Sequence, residues 1–318
     1  MEEKKLDLNS IIGFVLIGLI LIWVIYNNQP TPEELQQAKE KQEQVEKDKQ
    51  NALPAAATIQ KNDSIPQDSA ALARYKNDLG AFGNAVQRPS TDTIVLENEL
   101  IRLKISAKGG QIAEAKMKKF VTYDSVPVYL VHENNASFGL TFGAADNKVI
   151  TTETLYFEPQ LSTEGENKVL SMRLNVSENR FLEYRYVLKP NDYLVDFNVR
   201  SQGLNGIIDS GRQIVMDWKL KGIRQSKSIT YENRYTRLTY RHHDKKISKL
   251  SPSGNDEDTE DAVSWLSYRQ HFFSSILAAD TPFENVKLSS ENLVDGEDKE
   301  ARWTKIYAAA VPLKLQGG

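Results

Sequence analysis

Four histidines are the obvious places to look for acid–base or metal chemistry. His242-His243-Asp244 places two imidazoles beside a carboxylate. Adjacent residues of a strand point to opposite faces, so neighbouring imidazoles rarely share one metal. Arg241, Lys245 and Lys246 flank the trio, and their charge disfavours a cation. A solvated strand end is the favoured reading. His271 lies in VSWLSYRQHFFSSILAAD, where a histidine packed beside Phe272 and Phe273 is the commoner arrangement. Gly254 to Asp261, GNDEDTED, carries oxygen ligands but fails the spacing of a calcium loop, so a flexible solvated loop is expected. Lys108-Gly109-Gly110 lacks the spacing of a phosphate-binding loop and predicts a hairpin turn. No nucleophile elbow, zincin motif or dinucleotide fingerprint is present. The inventory supports no enzyme, no metal site, no cofactor and no catalytic residue.

Composition narrows the class further. The 318 residues include no cysteine, which excludes disulfides, thiolate zinc sites, iron–sulfur clusters and cysteine nucleophiles. The net charge of −3 does not suggest a nucleic-acid-binding surface. A hydrophobic fraction of 40% suits a folded domain with a real core.

The elements that would position any site are unevenly spread. Ile11 to Tyr26, IIGFVLIGLILIWVIY, is apolar on every side and predicts a transmembrane helix of about 24 Å. Counting from Leu8 lengthens it to about 28 Å, close to the bilayer core. Lys4 and Lys5 precede the run, and no basic residue follows it until Lys39. The positive-inside rule then puts residues 1–10 in the cytoplasm and the remainder across the membrane. A cleaved signal peptide is the rival, but no small-residue cleavage site follows Tyr26.

Residues 27–90 read as a flexible linker. They are rich in Glu, Gln and Lys, then in Ala and Pro, and their only aromatics are Tyr75 and Phe82. Residues 91–316 hold 23 aromatics and read as the folded domain. Ile101, Leu103 and Ile105 alternate with Arg102 and Lys104. Leu182, Tyr184, Tyr186 and Leu188 alternate with Glu183, Arg185 and Val187. Period-two alternation with turn signals at Gly109-Gly110, Glu178-Asn179 and Pro190-Asn191-Asp192 predicts a mainly β fold, a large antiparallel sandwich.

Four segments together resemble the N-terminal half of a YidC-type bacterial membrane protein insertase of the Bacteroidetes branch. They are the start MEEKKLDLNSIIGFVLIGLILIWVIY, Val95 to Phe120 with its Ile105-Ser106-Ala107-Lys108-Gly109-Gly110-Gln111-Ile112 turn, Tyr186 to Val199, and Trp265 with Gln270-His271-Phe272-Phe273. The resemblance implies an uncleaved inner-membrane anchor and a periplasmic β-supersandwich similar to galactose mutarotase. It implies contact with the Sec translocon and its accessory components, and nascent inner-membrane proteins as clients of a later helical core. The family's core groove has no counterpart before Gly318, so no groove residue is carried over and this stretch alone is not expected to insert proteins. Two other functions compete. A membrane-anchored carbohydrate-binding or mutarotase-like sandwich needs a histidine and a carboxylate across a cleft, with His132, His242, His243 and His271 as candidates. A plain anchored interaction protein explains the linker but not the segment matches.

Overall fold

The computed structural model describes residues 68–294 and 300–315. The apolar run Ile11 to Tyr26 lies outside them. Among the described residues, no helix is long and apolar enough to cross a membrane.

The described residues open with α1 (Ser69–Asp78), capped by the Asp68 carboxylate accepting from the Ala71 N–H at 3.0 Å. A 3-10 helix over Gly80–Val86 follows directly. These two elements lie within the 27–90 stretch that composition reads as a linker. Phe82 is fully buried and meets Phe142 edge-to-face at 5.4 Å, while Ala85 and Val86 join the same core. The stretch is poor in apolar residues on average, but the few it has are spent on one contact face.

Among the described residues, the named strands all pair antiparallel, as the alternation predicts. The first sheet runs in order from β1 (Thr93–Glu97) through β2 (Ile101–Ser106) and β3 (Ile112–Val121) to β4 (Pro127–Val131). On β2, Ile101, Leu103 and Ile105 are all buried. The turn between β2 and β3 uses Gly109 and Gly110 at φ 77° and 62°, conformations that L side chains rarely adopt. A Cβ on Gly110 would also come within 3.0 Å of Tyr184 and 3.1 Å of Phe157.

A meander of β7 (Glu158–Glu164), β8 (Asn167–Ser177), β9 (Arg180–Leu188) and β10 (Val195–Gln202) forms the second sheet. Asn191, at φ 50°, turns the chain from β9 to β10. Leu182, Tyr184, Tyr186 and Leu188 are buried as expected, but so is Glu183. Its carboxylate accepts from Arg173 at 3.1 Å and also from Ser171 and Arg200, so the charge is not left bare.

The third sheet has six strands: β14 (Asp256–Glu260), β17 (Val286–Asn292), β18 (Trp303–Leu313), β11 (Ile214–Ile223), β5 (Ala136–Gly143) and β6 (Val149–Thr151). The fourth comprises β13 (Ile247–Lys249), β12 (Arg237–His242), β15 (Val263–Arg269) and β16 (Ser274–Phe283). Phe138 on β5 and Trp218 on β11 are directly opposite one another, so they share a face. Phe138 meets Phe197 of the second sheet at 5.3 Å. Trp218 stacks on Tyr268 of the fourth sheet at 4.1 Å. One face of the six-stranded sheet is therefore covered by two different sheets, and the aromatics weld the layers into one core.

The acidic stretch expected to be a flexible loop is instead strand β14, paired with β17 from Asp256↔Ser290 to Glu260↔Val286. Its alternate carboxylates have partners that a sequence does not show. Asp258 and Glu260 both accept from the Tyr240 hydroxyl, at 2.6 and 3.1 Å, and Asp256 accepts from the Ser251 N–H at 2.7 Å. Burial and the two carboxylates push the Tyr240 phenol far above its ordinary pKa.

Candidate functional site

The β3–β4 hairpin, the segment from β11 into α2 (Ile229–Tyr235), and the β15–β16 turn meet at one end of the fourth sheet. The hairpin turns at Ser125, φ 65°, and leaves Phe120, Val121, Tyr123 and Val126 exposed. Phe120 touches Phe273 at 5.3 Å, edge-to-face. The Tyr123 hydroxyl accepts from Arg224 at 2.9 Å, and the guanidinium also lies 5.6 Å from its ring centre. Between the hairpin and the β11 side opens a cleft of about 400 Å³, whose lining includes Tyr129, His132, Glu133, Arg224 and Arg302.

Behind the cleft the link between β11 and α2 is pinned by buried polar groups. Glu232 is fully buried, and its Oε2 accepts from the backbone N–H groups of Gln225 at 2.7 Å and Ser226 at 2.5 Å. Burial raises its pKa above the usual carboxylate range, opposed by those two donors and by His271. Gln225 reaches the other wall, donating to the Tyr129 carbonyl at 2.9 Å. Gly222 is needed here for closeness, since a Cβ would come within 2.6 Å of Thr304 Oγ1. Lys305 lies buried on β18 and donates to the Pro252 carbonyl at 2.7 Å and Asn292 Oδ1 at 2.9 Å. Burial, helped by Arg237, lowers its pKa to about 8.

The four histidines do not converge. His271 is a packed ring, stacked on Tyr235 at 4.7 Å and against Phe272 at 3.9 Å, with Nδ1 at 3.2 Å from Ser226 Oγ. Phe273 turns away from it toward Phe120. His242 closes β12, with Nε2 at 3.0 Å from Ser248 Oγ and Nδ1 at 3.7 Å from Glu260, while His243 is exposed. His132 reaches the cleft, stacked on Tyr129 at 4.4 Å and flanked by Glu114 and Glu133 at 3.7 and 3.5 Å. Among the described residues, no three His, Asp or Glu side chains form a metal-holding group.

Sequence reasoning passed over Tyr123, Tyr129, Arg224, Glu232, Arg302 and Lys305. The available signal was the interleaving of cations and aromatics in KMKKFVTYDSVPVY and YENRYTR. What the arrangement offers is binding: cations and aromatic faces around an open cleft, on a rigid polar base.

Mainly antiparallel sheets packed as a sandwich, with cations and aromatic rings lining an open cleft, describe the class. Residues 93–312 match the family model described as the YidC periplasmic domain, and the chain belongs to that family. It is 32% identical to a membrane protein insertase YidC of Parabacteroides distasonis, in an alignment covering 98% of this chain and 50% of the relative. With the same protein of Porphyromonas gingivalis the identity is 31%, over 98% of this chain and 50% of the relative. The chain thus spans about half the length of the curated relatives it matches. Among solved structures, a galactose mutarotase-like protein from Lactobacillus casei is similar at 10% identity and a TM-score of 0.35, covering 71% of this chain and 90% of that one. That likeness is too loose to bear on function.

Proposed function

We propose that this chain is the membrane-anchored periplasmic part of a membrane protein insertase. Ile11 to Tyr26 serves as the inner-membrane anchor, with residues 1–10 cytoplasmic and the sandwich periplasmic. The sandwich acts as a positioning and partner-binding domain for the insertion and folding of inner-membrane proteins, alone or with the Sec translocon and its accessory components. Passage of client segments through the bilayer belongs to parts of the protein outside this chain. The observation that carries the reading is the alignment with insertases over 98% of the chain, which takes in the apolar run as well as the sandwich. The carbohydrate reading gains no support from the cleft. His132 there lies beside Glu114 and Glu133, and Asp124, Arg224, Glu300 and Arg302 also line the cleft, so cations face it as well as carboxylates.

The test is made on source membranes with an antibody raised against residues 91–316. The expected result is a band about twice the size of this chain that resists alkaline extraction and is cut by protease only from the periplasmic side. A band that alkali releases would overturn the anchor. A band no larger than this chain would remove insertion as its own activity.

A further inference from the structure

Of the twelve exposed large hydrophobic residues among the described residues, six fall on the three segments that meet here: Phe120, Val121, Tyr123 and Val126 on the β3–β4 hairpin, Tyr231 on α2 and Phe272 in the β15–β16 turn. Ring contacts tie the segments together: Phe120–Phe273 joins the hairpin to the turn, and Tyr231–His271 at 5.1 Å joins α2 to it, with His271 against Phe272 at 3.9 Å. Lone exposed apolar residues are ordinary, whereas a cluster of this size marks a binding surface. The charge here is opposite to that of the chain. Lys116, Lys119, Arg224, Lys227, Arg234 and Arg269 lie on the same segments. Against them stand Asp124 and Glu300, with Glu133 matched to Arg302 at 2.7 Å and Glu232 buried. These segments therefore carry more cations than anions, within a chain of net charge −3.

Shape and composition decide what covers it. Protein interfaces are depleted in lysine at their cores. Here the apolar residues protrude from a hairpin tip and a turn, with lysine and arginine interspersed. Phenylalanine and tyrosine rings beside cations are what the headgroup layer of a bilayer accommodates. We propose that this surface docks on the anionic lipid headgroups of the membrane that anchors the chain, with Val121 and Phe272 entering the headgroup layer. The proposal rests on the anchored reading above, and deepens it by naming the membrane surface itself as a partner of the sandwich.

The absence of cysteine permits single labels on the full chain. Val121→Cys and Phe272→Cys each receive an environment-sensitive fluorophore, and Leu161→Cys on β7 serves as the exposed control. Each is reconstituted in vesicles of phosphatidylcholine with or without phosphatidylglycerol, doped with a nitroxide lipid whose quencher sits near the headgroups. The expected result is strong quenching at 121 and 272 and little at 161 in the anionic vesicles, weakened by salt and by omitting phosphatidylglycerol. Replacing Lys119, Lys227 and Arg234 by Glu should reduce surface occupancy by about fivefold or more per cation. Val126→Cys and Tyr231→Cys repeat the measurement should either first label disturb folding. If the chain floats with the vesicles while labels at 121 and 272 match the control, lipid docking is overturned and the anchor stands. Shielding from water without lipid quenching would make the surface a protein interface instead. Equal quenching in neutral vesicles would overturn the anionic assignment. A chain that does not float at all overturns both readings.

Discussion

A buried lysine with only neutral oxygens as hydrogen-bond partners is costly, and Lys305 is such a residue. Its ammonium donates to Pro252 and Asn292, and its pKa falls from 10.5 to about 8. Because the folded pKa is the lower one, the unfolded chain holds more protons between about pH 8 and 10.5, and stability rises with pH across that window. Below pH 8 the penalty is fully present, and at about 1.4 kcal/mol per unit it reaches roughly 3 kcal/mol. Lys305→Met removes the penalty along with two hydrogen bonds. Asn292 Oδ1 keeps its bond from Asn233 at 2.9 Å, so only the Pro252 carbonyl is stranded. The variant should be more stable than the parent by about 1–3 kcal/mol at pH 7, with the gain fading by about pH 10. Paired urea titrations across that range measure it, and a gap independent of pH would rule out burial of the charge as its cause.

At the scale of elements, strands were easier to read than the segments that complete them. Alternation on β2 was plain because that strand holds one face in the core, whereas β9 is buried on both faces and its alternation of residue types reflects the paired charge of Glu183 rather than exposure. β14 was hidden because Asp256, Asp258 and Glu260 look like solvent-exposed charges until Tyr240 and Ser251 arrive from other parts of the chain. The 3-10 helix at Gly80–Val86 was hidden because composition averages over a window, whereas packing depends on single residues such as Phe82. That helix should be an integral part of the sandwich. Phe82→Ala is expected to cost about 3–5 kcal/mol, read as a lowered urea midpoint with an unchanged slope. A loss under about 1 kcal/mol would mean that the helix only rests on the surface. The docking surface was illegible for a related reason. Its residues come from three separate segments, each an unremarkable mixture of cations and aromatics, and only the fold brings those segments together.

At the scale of the molecule, the order of strands in space differs from their order along the chain. β18 lies between β17 and β11 in the interior of the six-stranded sheet, with ladders to both neighbours. A chain lacking residues 303–313 should lose cooperative thermal unfolding altogether, checked by circular dichroism and calorimetry. Retention of a sharp transition would show that the remaining strands form a stable unit without it. The same placement has a consequence in time. A ribosome releases the chain from its beginning, so β11 and β17 both emerge before the strand that joins them. Until residue 313 is delivered, two ladders stay open and the facing edges of β11 and β17 remain unpaired. Closure of such a sheet is a late and largely all-or-none event, governed by long-range pairing. Completion of the six-stranded sheet thereby waits on delivery of β18.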